Sequence, residues 1–216
     1  MIQNVPSLDL VEFIETKILP QYAAFDAAHN MEHVTRVIRN SLELVKMTGA
    51  DINMVYAIAA YHDLGMSGPR AVHHLTSGKI LAADARLKKW FSPEQLKIMR
   101  EAVEDHRASA AHAPRSIYGK IVAEADRDID KDIVIRRTIQ YGLANYPQLD
   151  HEGHWKRFKE HMDNKYSKDG YIRLWIPNSP NAVRLNELRN LIAQPAELKK
   201  AFDRIYHELI PADGQG

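Results

Sequence analysis

Apolar residues recur every three or four positions along most of this chain, the spacing of helices that bury one face. Val34, Val37, Ile38 and Leu42 show it in one segment, and Val183, Leu185, Leu188 and Leu191 in another. The run Val55-Tyr56-Ala57-Ile58-Ala59-Ala60-Tyr61 is apolar on every side, as a fully buried helix would be. Start and stop signals divide the pattern. Ser7 can cap a helix from Leu8 to Leu19 that Pro20 ends, and Asn30 a second that runs to about Met47, before Gly49. Asp51 opens a third, and a fourth spans about Val72 to Trp90. Ser92-Pro93-Glu94-Gln95 reads as an N-cap, a proline at the first helical position and a capping-box partner, for a fifth helix ending near His106. Segments 116–128 and 131–145 read as two more. Past Pro147 a helix carries His154, Trp155, Phe158 and His161 up to Gly170. Tyr171 to Ile176 then reads as extended chain, followed by helices over about Asn181–Ile192 and Pro195–Ile210. The expected fold is all-α: one helical bundle over residues 1–146, with residues 147–216 as a helical extension packed on the same domain, where it would roof a site.

Composition narrows the function classes. The 216 residues carry a net charge of +1 and form no basic stripe, so a nucleic-acid polymer is not an expected partner. There is no cysteine, which excludes disulfides and thiolate metal sites. The first residues lack a signal peptide's basic and apolar segments, and no apolar stretch of about 18 residues occurs. The expected compartment is the cytoplasm, with no membrane partner; a homodimer is left open.

Candidate chemistry begins where the apolar helix ends, at His62-Asp63, just before Gly65. Successive helical side chains point about 100° apart, so these two converge only where the backbone leaves the helix. Leu64-Gly65-Met66-Ser67-Gly68-Pro69 supplies that exit. Imidazole beside carboxylate suits Mn, Fe, Co, Ni or Zn better than Mg or Ca. Further ligand types follow in order: His33 on the amphipathic stretch upstream, then His73-His74, His106 and Asp126. An unpaired carboxylate inside an apolar run is costly, which favours a cation at Asp63 and Asp126 over a set of unrelated core residues.

The ordered set His33, His62-Asp63, Asp126 resembles the H…HD…D signature of the HD-domain superfamily of metal-dependent phosphohydrolases. His33-x-x-Arg36-Val37 and Ala125-Asp126-Arg127 resemble that family's usual surroundings, over roughly residues 25 to 135. The resemblance implies one or two divalent ions. His33, His62 and Asp126 would hold the first, and Asp63 would bridge to a second held by His74 and His106. His73, one residue from His74, is the alternative ligand, or with His29 a substrate contact. It further implies hydrolysis of a small phosphorylated substrate, a nucleotide among the candidates, with Asp63 central to catalysis and Glu104 orienting a ligand imidazole. Many members carry a lysine shortly after the HD pair, where this chain has Leu64-Gly65-Met66. The phosphate-binding cation is therefore sought among Arg70, Arg107, Arg115, Lys120 and Arg127, with Arg107 and Arg115 favoured. Aromatic residues such as Tyr118, Tyr171 and Trp175 could stack a base, although core packing is their commoner role.

Two rival enzyme readings stand beside this one. The same ligand types support HD-fold diiron oxygenases. His29-Asn30-Met31-Glu32-His33 also fits the H-x-x-E-H pattern of zinc metallopeptidases, but His29 falls before the expected helix start. His151, His154 and His161 lie among many charged residues and read as a solvated helix face rather than a metal cluster.

Overall fold

The computed structural model describes residues 5–25, 29–108 and 112–210. Among these are ten α-helices and no strand. They are α1 (Leu8–Phe13), α2 (Met31–Val45), α3 (Ile52–Tyr61), α4 (His73–Ala83), α5 (Pro93–Glu104), α6 (Ile117–Ala125), α7 (Lys131–Asn145), α8 (His151–Tyr166), α9 (Pro180–Ile192) and α10 (Pro195–Leu209). None of the described helices is long and apolar enough to cross a membrane.

Three of the four expected caps form, whereas Ser7 stands at the start of α1 without a capping bond from its side chain. The Asn30 side chain accepts from the His33 N–H, and Asp51 accepts from Asn53 and Met54. Ser92 and Gln95 complete a reciprocal capping box. The first helix does not stop at Pro20. It widens into a π turn over Ile14–Ile18 and tightens into a 3-10 turn over Leu19–Ala24, with the proline in the first turn of that last piece, where its missing N–H breaks no bond. The expected fourth helix likewise breaks at Asp84, which caps a separate 3-10 turn, Ala85–Lys89.

Contacts divide the chain into two compact units. One comprises residues up to Arg127 together with Leu174–Pro177, and the other Asp128–Arg173 with Asn178 onward. The division falls one helix before Pro147, so that α7 belongs to the second unit.

In the first unit α3 is the central element. Every residue of it but Asn53 is buried, among Leu10, Ile14, Ile18 and Tyr22, Val34 and Val37 of α2, Met99 and Val103 of α5, and Ile121 and Val122 of α6. Leu174–Pro177 joins this unit as irregular chain, because the Glu124 carboxylate accepts the N–H groups of Trp175 and Ile176 at 2.8 and 2.9 Å. The expected extended segment is thus pinned by a side chain rather than by a sheet. In the second unit Phe158, Met162, Leu185, Leu188, Leu198 and Phe202 are buried. His154 belongs to that interior, 4% exposed with its ring 5.8 Å from Tyr206, and is not on a solvated face.

Candidate metal centre

α3 ends on His62, and the chain leaves the helix at Asp63 (φ −113°, ψ 8°) to enter a 3-10 turn, Leu64–Ser67. Gly65 makes the next step possible. A Cβ there would lie 2.2 Å from the His73 carbonyl oxygen and 2.7 Å from the Ser77 N, so only glycine lets α4 pack this close. The Gly65 N–H donates to Ser77 Oγ at 2.8 Å, and Gly78 performs the same service one turn on, where a Cβ would meet the Glu104 side chain at 2.7 Å. His73 is thereby brought over Asp63.

Both Asp63 oxygens then face imidazoles. Oδ2 lies 3.3 Å from His33 Nε2 and 3.2 Å from His62 Nε2. Oδ1 lies 3.3 Å from His73 Nε2 and 3.4 Å from His106 Nε2. Asp126, at the end of α6, brings Oδ1 to 3.2 Å from His33 Nε2 and 3.8 Å from His62 Nε2. His29 completes the group, its ring 5.9 Å from that of His33 and 6.5 Å from that of His73.

Three of the four imidazoles surrounding Asp63 are fixed alike. His62 Nδ1–H donates to Ala59 O at 2.7 Å, His73 Nδ1–H to Arg70 O at 2.8 Å and His106 Nδ1–H to Val103 O at 2.7 Å. A carbonyl only accepts, so each neutral ring carries its proton on Nδ1 and turns the Nε2 lone pair inward. These nitrogens face one another, His33 and His62 at 3.2 Å and His73 and His106 at 3.0 Å. Between His73 and His106 two lone pairs oppose each other at that distance, beside a carboxylate 2% exposed whose Oδ1 accepts no regular hydrogen bond, and this calls for positive charge between them. In the fourth ring Arg36 Nη2 lies 3.2 Å from His33 Nδ1 and can donate only to the neutral ring, whose proton is then on Nε2 between two carboxylates, where a cation would take its place.

The donor spacing suits an ion. Bonds of about 2.0–2.2 Å from a common centre put tetrahedral or octahedral neighbours about 3 to 3.5 Å apart. Two triads satisfy this need for convergence, His33, His62 and Asp63 on one side, Asp63, His73 and His106 on the other. Electrostatics agrees. Burial opposes charge on His33, yet the Asp126 and Asp63 carboxylates outweigh it and hold the ring up at about 9. Burial of Asp63 is likewise overcome by His62, His106 and His33, which hold its carboxyl well below the usual range. Asp126, against its own burial, is held down at about 2 by His33 and His62.

Not every expected residue converges here. His73, not His74, joins the cluster: adjacent positions diverge by about 100°, and the Arg70 carbonyl with the Gly65 approach settles which ring turns inward. His74 Nδ1 is buried without a hydrogen-bond partner, and burial with His106 and Arg107 nearby pushes the ring down to about 4. Glu104 orients no ligand imidazole in this arrangement; its oxygens accept from Arg100 at 2.7 Å and Arg115 at 2.9 Å. Arg115 is committed too, to Glu104, to Asp105 at 2.8 Å and to the Glu101 carbonyl at 2.9 Å. Arg127 is buried, which pushes its pKa down against the pull of Asp126 and Glu124. Lys120 is half-buried on α6, and Arg107 donates to Ala71 O at 2.8 Å, beside the turn that leads to His73. Arg36 is the cation that sequence reasoning passed over, although its i+3 spacing from His33 on one helix was the signal. Tyr118 accepts from the Asp51 N–H at 3.2 Å and packs on the core. The loop over 108–115 lies partly outside the described residues. The peptidase geometry does not form, because His29 precedes the Asn30 cap and Glu32 is exposed.

Residues 30–129, which include His33, His62-Asp63, His73, His106 and Asp126, match the HD domain family. The chain carries an HD domain over this stretch. Its fold is also that of Bacillus subtilis YpgQ, whose crystal structure was determined in complex with ADP; the two are 18% identical, the likeness covers 95% of this chain and 97% of that one, and the TM-score is 0.53. No curated protein sequence matches the chain. The HD match begins at the cap of α2, so the helical run that carries Tyr22 lies outside it.

Proposed function

We propose that this HD-domain protein is a metal-dependent hydrolase of small phosphate esters or anhydrides, with nucleotides as the substrate class. The observation that carries the reading is Asp63, buried between two imidazole pairs with one oxygen toward each. His33, His62, Asp63 and Asp126 would hold one divalent ion, and Asp63, His73 and His106 a second, with Mn, Fe, Co, Ni or Zn suited to these donors. When bound, such ions lower the pKa of a coordinated water toward ~7 and neutralise phosphoryl charge.

The chain's own groups do the rest. The three Nδ1–H···O=C bonds fix the rings so that their Nε2 atoms need no reorganisation. Hydrolysis forms a P–O bond from water and breaks the P–O bond to the leaving group, whose oxygen takes a proton. His29, beside both imidazole pairs, is assigned to that proton. Arg36 and Arg107 lie at the edge of the cluster and are assigned to the phosphate. The nucleotide assignment draws support from ADP in the YpgQ complex.

The test is phosphate and pyrophosphate release from a nucleotide panel by chelator-treated protein resupplied with Mn, with Asp63→Ala alongside. Release that requires Mn and is abolished in Asp63→Ala is expected. Two bound irons with oxygen-dependent turnover and no phosphate release would move the assignment to the oxygenase.

A further inference from the structure

We infer that Tyr22 is a positioning residue of the metal centre, its hydroxyl setting the backbone break that turns Asp63 toward both imidazole pairs. The inference rests on the metal-dependent reading above. In a helix that continued past His62, the Asp63 N–H would bond the Ala59 carbonyl, and its side chain would point about 100° away from His62. That carbonyl already accepts the His62 Nδ1–H at 2.7 Å. The Tyr22 hydroxyl takes over: it donates to Ala60 O at 2.9 Å and accepts the Asp63 N–H at 3.3 Å, bridging the last turn of α3 to the first residue beyond it. Asp63 then adopts φ −113° and ψ 8°, and its carbonyl starts the 3-10 turn by accepting from Met66 at 2.9 Å.

Tyr22 is itself held rigidly. It is fully buried, with Phe25 packed edge-on at 5.3 Å, and it sits on the 3-10 turn that carries the first helical run past Pro20. The continuation of that run beyond the proline therefore has a consequence for the centre. Without it no hydroxyl from this run would reach the break, and the buried Asp63 N–H would return to the helix or stay unpaired.

The test compares Tyr22→Phe with Tyr61→Phe. Phenylalanine keeps the ring and removes only the hydroxyl, and Tyr61→Phe removes a comparable bond, to Asp84 Oδ2 at 2.7 Å, from the same helix. Mn affinity is measured by titration, with free Mn(II) counted from its magnetic-resonance signal, and thermal stability is measured in parallel. Tyr22→Phe is expected to weaken Mn binding by about 10- to 100-fold, the usual size for losing a group that orients a ligand. Tyr61→Phe is expected to lower the melting temperature while leaving Mn affinity within about twofold, as for an independent site. Equal Mn affinity in wild type and Tyr22→Phe would overturn the inference and leave the metal reading intact. No Mn binding by wild type would overturn both. A second measurement needs no variant: the Asp63 amide of the folded wild type should exchange slowly with solvent, and rapid exchange would overturn the inference by itself.

Discussion

Gly65→Ala adds one methyl group at the point where the centre is assembled. The new carbon would stand 2.2 Å from the His73 carbonyl oxygen, whereas ordinary contact begins at 3.4 Å. The 3-10 turn and the start of α4 must therefore separate by about 1.2 Å, the difference of those two distances, and both obstructing atoms are backbone, so no rotamer change relieves them. His73 Nε2 lies 3.3 Å from Asp63 Oδ1, and the same displacement directed along that line takes it to about 4.5 Å. Two donors at bonds of about 2.1 Å can hardly share an ion at that separation. Overpacking of this kind costs about 1–3 kcal/mol. For a chain of this size each kcal/mol lowers the melting temperature by about 2–4 °C. The assay is thermal unfolding of metal-free protein together with Mn stoichiometry on the same sample. The expected result is a less stable protein that loses the ion proposed for His73 and His106 and keeps the one proposed for His33, His62, Asp63 and Asp126. A Gly65→Ala protein with unchanged stability and full Mn content would refute the steric argument and the role given to His73.

The remaining predictions concern particular contacts. Ser92→Ala removes half of a capping box far from the chemistry and should cost about 1 kcal/mol in unfolding experiments without altering Mn affinity. Arg115→Gln should cost about 1.5–3 kcal/mol, because Asp105, whose carboxylate is nearly inaccessible, loses its guanidinium; substrate KM should not change, whereas Arg36→Gln should raise it. Asp84 is opposed by burial but held below its ordinary pKa by Arg86 and Tyr61. The folded value lies under the unfolded one, so this group's stabilisation is present above about pH 4 and is lost as pH falls through the folded value. With metal chelated, Asp84→Asn should flatten the stability profile below pH ~4, and a profile as steep as wild type would remove Asp84 from the account.

What sequence alone determined was whatever depends on neighbours a few positions away. Asn30, Asp51 and Ser92 cap helices because a side-chain oxygen three residues from a free N–H needs no distant partner. His62-Asp63 followed by Leu64-Gly65 marked the end of a buried helix, and the order of His33, His106 and Asp126 was legible because each stands at the beginning or end of a recognisable helix. Tertiary structure decided everything that turned on long-range approach. His73 and His74 are equivalent in local pattern, and only the packing of α4 on Gly65 chooses between them. Glu104 and Arg115 looked available for the site until the fold placed them, with Asp105, within bonding distance of one another. Pro20 is a stop signal locally, yet burial of Ile14, Ile18 and Tyr22 carries the chain past it in a different helical form. Side-chain type sets what chemistry a residue can offer, and a carbonyl three residues back orients three of the rings, but which donors meet is decided by the packing of elements distant in sequence, here five helices, α2 to α6.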